Sequence, residues 1–131
     1  MIGIDSNVLV RYLTNDEPEM ADRAERLLEQ ECAPDRLGFI NVVVLCEVAW
    51  VLRAHYRFAG EQIAAAIDAL LRAPRLAIQH DDLVERALVD YRRGKADFAA
   101  VLIGLLNRRS GCEVTATFDR EAAALETFRL L

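Results

Sequence analysis

The sequence predicts an α/β domain with a short, mostly parallel central sheet flanked by helices. Three observations predict it. Short apolar segments of strand length alternate with longer segments of helical periodicity along the chain. Capping residues, prolines and glycines punctuate the alternation. No linker, low-complexity tract or internal repeat breaks it, so residues 1–131 read as a single domain, long enough to bury most of its unfolded surface.

The elements follow in order. Ile2 to Ile4 is a short buried strand, and Ser6 to Leu13 a helix with Ser6 or Asn7 as its cap. Asp16-Glu17-Pro18 turns into a second helix, with Pro18 at its first position and a stripe at Ala21, Ala24, Leu27 and Leu28. Pro34-Asp35 breaks that helix, and Leu37 to Ile40 is the second strand. Asn41 caps a helix running to about His55. Gly60 precedes a helix over Ile63 to Leu71, ended by Pro74, and Leu76 to Ile78 is the third strand. Asp81 or Asp82 caps Leu83 to Arg92, and Gly94 ends it. Asp97 starts a helix reaching about Arg108, stopped by Gly111. Val114 to Phe118 is a strand, Arg120 to Leu125 a short helix, and Phe128 to Leu130 the last strand.

The 53% apolar content suits a packed core, and no uncharged stretch reaches the ~18 residues of a membrane span. With an apolar strand at the start and no basic n-region, the expectation is a cytoplasmic protein without a signal peptide. Three cysteines, Cys32, Cys46 and Cys112, with no CxxC spacing argue against a disulfide framework or a zinc site. The net charge of −5 argues against loose electrostatic binding of nucleic acid over the whole surface. Four particular carboxylates account for most of it.

Those four are Asp5, Glu47, Asp97 and Asp119, each within or at the edge of an apolar segment. Asp5 ends Met1-Ile2-Gly3-Ile4. Glu47 is the only charge between Leu37 and Leu52. Asp97 opens Phe98 to Leu106, and Asp119 closes Val114 to Phe118. An unpaired carboxylate in an apolar setting is costly, so four of them predict a shared compensation. A divalent cation that favours oxygen ligands, Mg²⁺ or Mn²⁺, is the simplest. In parallel α/β sheets ligands bind beyond the carboxyl ends of the strands. Asp5 and Asp119 fall there, Asp97 falls at a helix start, and Glu47 leans back along its helix. One pocket is therefore expected to receive all four, for a metal-dependent phosphodiester chemistry. Each also has a plainer reading. Asp5 and Asp97 suit helix caps, Asp119 a turn, and Glu47 an ion pair with Arg11 or Arg53.

The stretches Ile4-Asp5-Ser6-Asn7-Val8-Leu9, Leu45-Cys46-Glu47-Val48, Lys95-Ala96-Asp97-Phe98-Ala99 and Thr117-Phe118-Asp119-Arg120 resemble the PIN-domain nucleases, and among them the VapC toxins of bacterial type II toxin–antitoxin pairs. The resemblance runs over nearly the whole chain, to Phe128-Arg-Leu-Leu131. It implies a Mg²⁺- or Mn²⁺-dependent ribonuclease that acts as a homodimer and is blocked by a small antitoxin protein. Asp5, Glu47, Asp97 and Asp119 are then the catalytic, metal-holding cluster, with Asn7 and Thr117 supporting it by hydrogen bonds. Ser6 stands where Thr is commoner and keeps the hydroxyl.

Arg92, Arg93 and Lys95, just before Asp97, are candidate contacts to RNA phosphates, although cations also suit the last turn of a helix. Apolar residues around Leu9, Tyr12, Trp50 and Leu52 are candidates for the dimer surface. Two further readings compete. One is a housekeeping nuclease of the same fold, acting in RNA maturation or on DNA flaps. The other is a receiver-like signalling module. That module would want adjacent acids after the first strand and a late Lys, whereas this chain has Asp5-Ser6-Asn7 and a single Lys, Lys95, ahead of Asp97.

Overall fold

The computed structural model describes residues 1–131 and divides the chain into two units, Met1–Asp81 and Asp82–Leu131. The first contains β1 (Ile2–Gly3), α1 (Ser6–Thr14), α2 (Pro18–Arg26), β2 (Gly38–Ile40), α3 (Val42–Ala54), α4 (Gly60–Arg72) and β3 (Leu76–Ile78). Its three strands form a parallel sheet in the order β1-β2-β3, with Ile2 opposite Gly38 and Gly38 opposite Leu76. Gly38 is tightly packed at the centre of that sheet. A Cβ there would stand 2.9 Å from Leu76 Cδ2 and 3.0 Å from Cys32 Sγ.

Local chemistry sets the helix limits in this unit. Asp5 is the cap of α1, one residue earlier than the sequence suggests, because its carboxylate takes the Ser6 N–H. Asn15 ends α1 in the left-handed conformation that Asn tolerates, at φ 54°. Pro18 opens α2 as predicted, but the helix gives way at Leu27 to a wider turn over Leu27–Glu31. Asn41 caps α3 by accepting from Val44 N–H at 2.9 Å, and Gln79 Oε1 accepts from Val42 N–H at 3.1 Å. The α3 N-terminus is thereby tied to the chain leaving β3. Leu9, Ile40, Leu45, Leu52, Ile63 and Ile67 are essentially inaccessible and make the core of these layers.

The second unit contains most of α5 (Asp81–Arg93), α6 (Phe98–Arg109), β4 (Thr115–Thr117) and β5 (Phe128–Leu130). The two strands form a parallel ribbon with Thr115 opposite Phe128 and Ala116 opposite Arg129. Its inner face lies on α6: Asn107 Nδ2 donates to Thr115 Oγ1 at 3.0 Å, and Gly104 makes room for Phe128 and Thr127. Phe98 is buried edge-on against Tyr91, with ring centroids 5.9 Å apart. Arg109 pairs with Asp82, joining the end of α6 to the start of α5. The predicted helix over Arg120 to Leu125 is reduced to a single tight turn, Ala122–Ala124. No helix is long and apolar enough to cross a membrane.

Candidate functional site

Asp5 and Glu47 belong to the first unit, Asp97 and Asp119 to the second. All four side chains are exposed, which corrects the expectation that they lie in apolar surroundings. The physical reason is local. Three of them stand where backbone emerges from a strand or enters a helix, and Glu47 falls on the solvent face of α3. No group of three or more His, Cys, Asp or Glu side chains that could hold a metal ion forms in the structure.

Two of the four are partly engaged by backbone. Asp5 Oδ1 accepts from Ser6 N–H at 2.8 Å, and its other oxygen has no partner. Asp119 Oδ1 accepts from Glu121 N–H at 2.9 Å and Ala122 N–H at 3.3 Å, again leaving one oxygen open. These are capping bonds, so the plainer reading holds for both without using up their donor capacity. The other two are wholly open. Asp97 starts α6 by its backbone, at φ −62° and ψ 151°, but its carboxylate caps nothing. Glu47 forms no ion pair with Arg11 or Arg53, since Arg11 is taken by Asp16 at 3.0 Å.

The supporting residues behave differently from one another. Thr117 Oγ1 accepts from Asp119 N–H at 3.0 Å, bracing the backbone that carries the carboxylate. Asn7 makes no hydrogen bond to a carboxylate. It lines a cavity of about 500 Å³ with Val8, Arg11, Met20, Arg23, Ala24 and Leu27. Arg92, Arg93 and Lys95 are exposed at the end of α5 and the loop that follows. Beside Glu47, burial pushes the Cys46 thiol up, which keeps it protonated and unsuited to be a nucleophile.

The donor set nevertheless suits a hard cation. It is all carboxylate oxygen, exposed, and each group keeps at least one oxygen without a hydrogen bond. Mg²⁺ retains several waters and is commonly held by one or two carboxylates together with substrate phosphate, so a preformed cage of three side chains is not a requirement.

Of the predicted dimer-surface residues, Leu9 and Leu52 are corrected: both are fully buried. The exposed apolar residues on that side are Val43 and Trp50, which share the α3 face of Glu47 at helical spacing. Sequence reasoning passed over Phe118, which is 81% exposed directly before Asp119. The available signal was alternation: Ala116 and Phe118 have the same parity, opposite to that of Thr115 and Thr117.

The family model described as PIN domain matches residues 2–127 of the chain. No curated protein matches it.

Proposed function

The chain belongs to the PIN domain family, whose members are generally nucleases, and on that premise we propose that it is a metal-dependent endoribonuclease, the toxin of a VapBC-type toxin–antitoxin pair. The observation that carries the reading is the state of the four carboxylates. In a chain with 16 basic residues, none of the four is spent on an ion pair, and Asp97 and Glu47 accept no hydrogen bond at all. Each of the four therefore keeps at least one carboxylate oxygen open for a hard cation.

In this reading Asp5, Glu47, Asp97 and Asp119 hold Mg²⁺ or Mn²⁺, which when bound supplies Lewis-acid stabilisation of charge on the phosphate and lowers the pKa of water. The α6 N-terminus at Asp97 adds a favourable end of the helix dipole for the phosphate. Arg92, Arg93 and Lys95 supply cations for flanking phosphates. The backbone bonds at Asp5 and Asp119 hold those side chains in one orientation, so binding the substrate orders fewer groups. In-line attack by water leaves a 5′-phosphate and a 3′-hydroxyl. A homodimer is proposed, with the exposed Trp50 among its contacts. The antitoxin segment that blocks the site is expected to be cationic or aromatic, to complement the carboxylates.

Induced expression in a bacterial host tests the reading. Wild type should arrest growth, while Asp5→Asn and Asp97→Asn should not. Sequencing of the RNA ends generated on induction would identify the substrate. Equal growth of all three cultures, with no RNA cleavage by the purified protein in Mg²⁺, would refute the assignment.

A further inference from the structure

The outer face of the β4–β5 ribbon combines groups that the catalytic reading does not use. The inner face is accounted for, because Thr115 is bonded to Asn107 and Phe128 packs on Gly104. Ala116 and Arg129, opposite one another in the ladder, are therefore on the outer face, and both are exposed. Arg129 has no hydrogen bond or ion pair, unlike Arg108 and Arg109 of the same unit, which hold Glu126 and Asp82. Phe118 stands one residue past β4 and is 81% exposed, a poor place for a phenyl ring with only a structural role.

The ring is not on a loose segment. The Leu131 N–H donates to Thr117 O at 2.8 Å on one side. On the other, Asp119 N–H donates to Thr117 Oγ1 at 3.0 Å, and Asp119 Oδ1 takes the Glu121 N–H at 2.9 Å. Phe118 is thus an open aromatic on a hydrogen-bonded stretch of backbone, next in sequence to a candidate catalytic carboxylate, with an unpaired guanidinium on the same ribbon.

Building on the nuclease reading, we propose that this face binds the single-stranded RNA flanking the scissile bond: a nucleobase stacks on Phe118 and Arg129 takes a backbone phosphate. Aromatic rings stack every base with little sequence preference, and cations track the backbone; together they make a single-strand platform. The assignment makes Phe118 a positioning residue rather than a catalytic one.

The test uses a labelled randomised RNA oligonucleotide and full-length protein carrying Asp97→Asn, so that binding is read without cleavage. Adding Phe118→Ala should weaken binding by about 5- to 100-fold, and Phe118→Trp should restore it. Adding Arg129→Gln should flatten the dependence of log affinity on log salt by about 0.7 to 1. In the cleavage-competent protein, Phe118→Ala should raise KM more than it lowers kcat. If Phe118→Ala binds RNA as tightly as its parent while the wild type cleaves RNA, the platform is overturned and the nuclease reading stands. If Phe118→Ala leaves RNA binding unchanged but alters oligomeric state by light scattering, the face is a protein interface and the proposal is likewise overturned. If the wild type cleaves no RNA, both readings fall together.

Discussion

Asp97 and Glu47 differ from Asp5 and Asp119 in what their removal should cost the fold. Asp97 and Glu47 are exposed and unpartnered, so Asp97→Asn and Glu47→Gln should change stability by no more than about 0.5 kcal/mol. Asp5 and Asp119 accept backbone N–H groups, so Asp5→Ala and Asp119→Ala should cost about 0.5–2 kcal/mol. Asp5→Asn, which keeps an accepting oxygen, should cost little. All of these substitutions are expected to abolish RNA cleavage. Denaturant melts run beside the activity assay separate the two effects. A large loss of stability in Asp97→Asn would show that this carboxylate is structural after all.

At the scale of elements, the end of α1 is fastened by Asp16. Its carboxylate accepts from Tyr56 Oη at 2.7 Å, from Arg11 Nη1 at 3.0 Å and from Thr14 Oγ1 at 3.0 Å. The Tyr56 hydrogen bond, followed by those of Thr14 and Arg11, holds the Asp16 carboxyl below its ordinary value of 3.8. A carboxyl lowered in the folded state contributes stability above its unfolded pKa and loses it as pH falls through the folded one. The stability difference between wild type and Asp16→Asn should therefore be present at neutral pH and shrink as pH falls below 3.8, which thermal melts across that range would measure. A second element-scale prediction concerns α6. A Cβ on Gly104 would collide with Thr127 Oγ1 and stand 2.6 Å from Phe128 Cε2. Gly104→Ala should therefore destabilise by about 1–3 kcal/mol, even though Ala is the better helix former. A rise in melting temperature for that variant would mean that β5 moves easily away from α6.

For the whole molecule, the metal reading makes a linkage prediction. A cation that binds only the folded protein stabilises it by mass action, by about 2.7 kcal/mol at a hundredfold excess over Kd. Mg²⁺ should raise the melting temperature of wild type more than that of Asp97→Asn, and excess EDTA should abolish cleavage. Cleavage persisting in EDTA by contaminant-free protein would remove the cation from the mechanism. Association is the other property at this scale. Trp50, 62% exposed and in T-shaped contact with the His55 ring, should contribute to the homodimer. A monomer at micromolar concentration in light scattering, unchanged by Trp50→Ala, would count against that surface.

The sequence by itself determined what depends on neighbours along the chain. Leu76–Ile78 and Phe128–Leu130 are strands with the bounds read from apolar runs between breakers, Asn41 caps α3, and Pro18 begins α2. Capping, proline geometry and alternation act over a few residues, so they are legible locally. The four carboxylates stand out in the sequence for the same reason, as charges within or at the edges of apolar runs. Tertiary structure decided the rest. The strands sort into a β1-β2-β3 sheet and a separate β4–β5 ribbon, and α2 widens at Leu27 instead of continuing its stripe. Leu9 and Leu52 are buried while Val43, Trp50 and Phe118 are left open. The carboxylates lie in solvent rather than in an apolar pocket. Pairing and exposure depend on which distant segments cover a residue, and no short stretch of sequence encodes that. An apolar run around Glu47 looks the same whether Glu47 faces the core or the water, and only the packing of α3 chose the water.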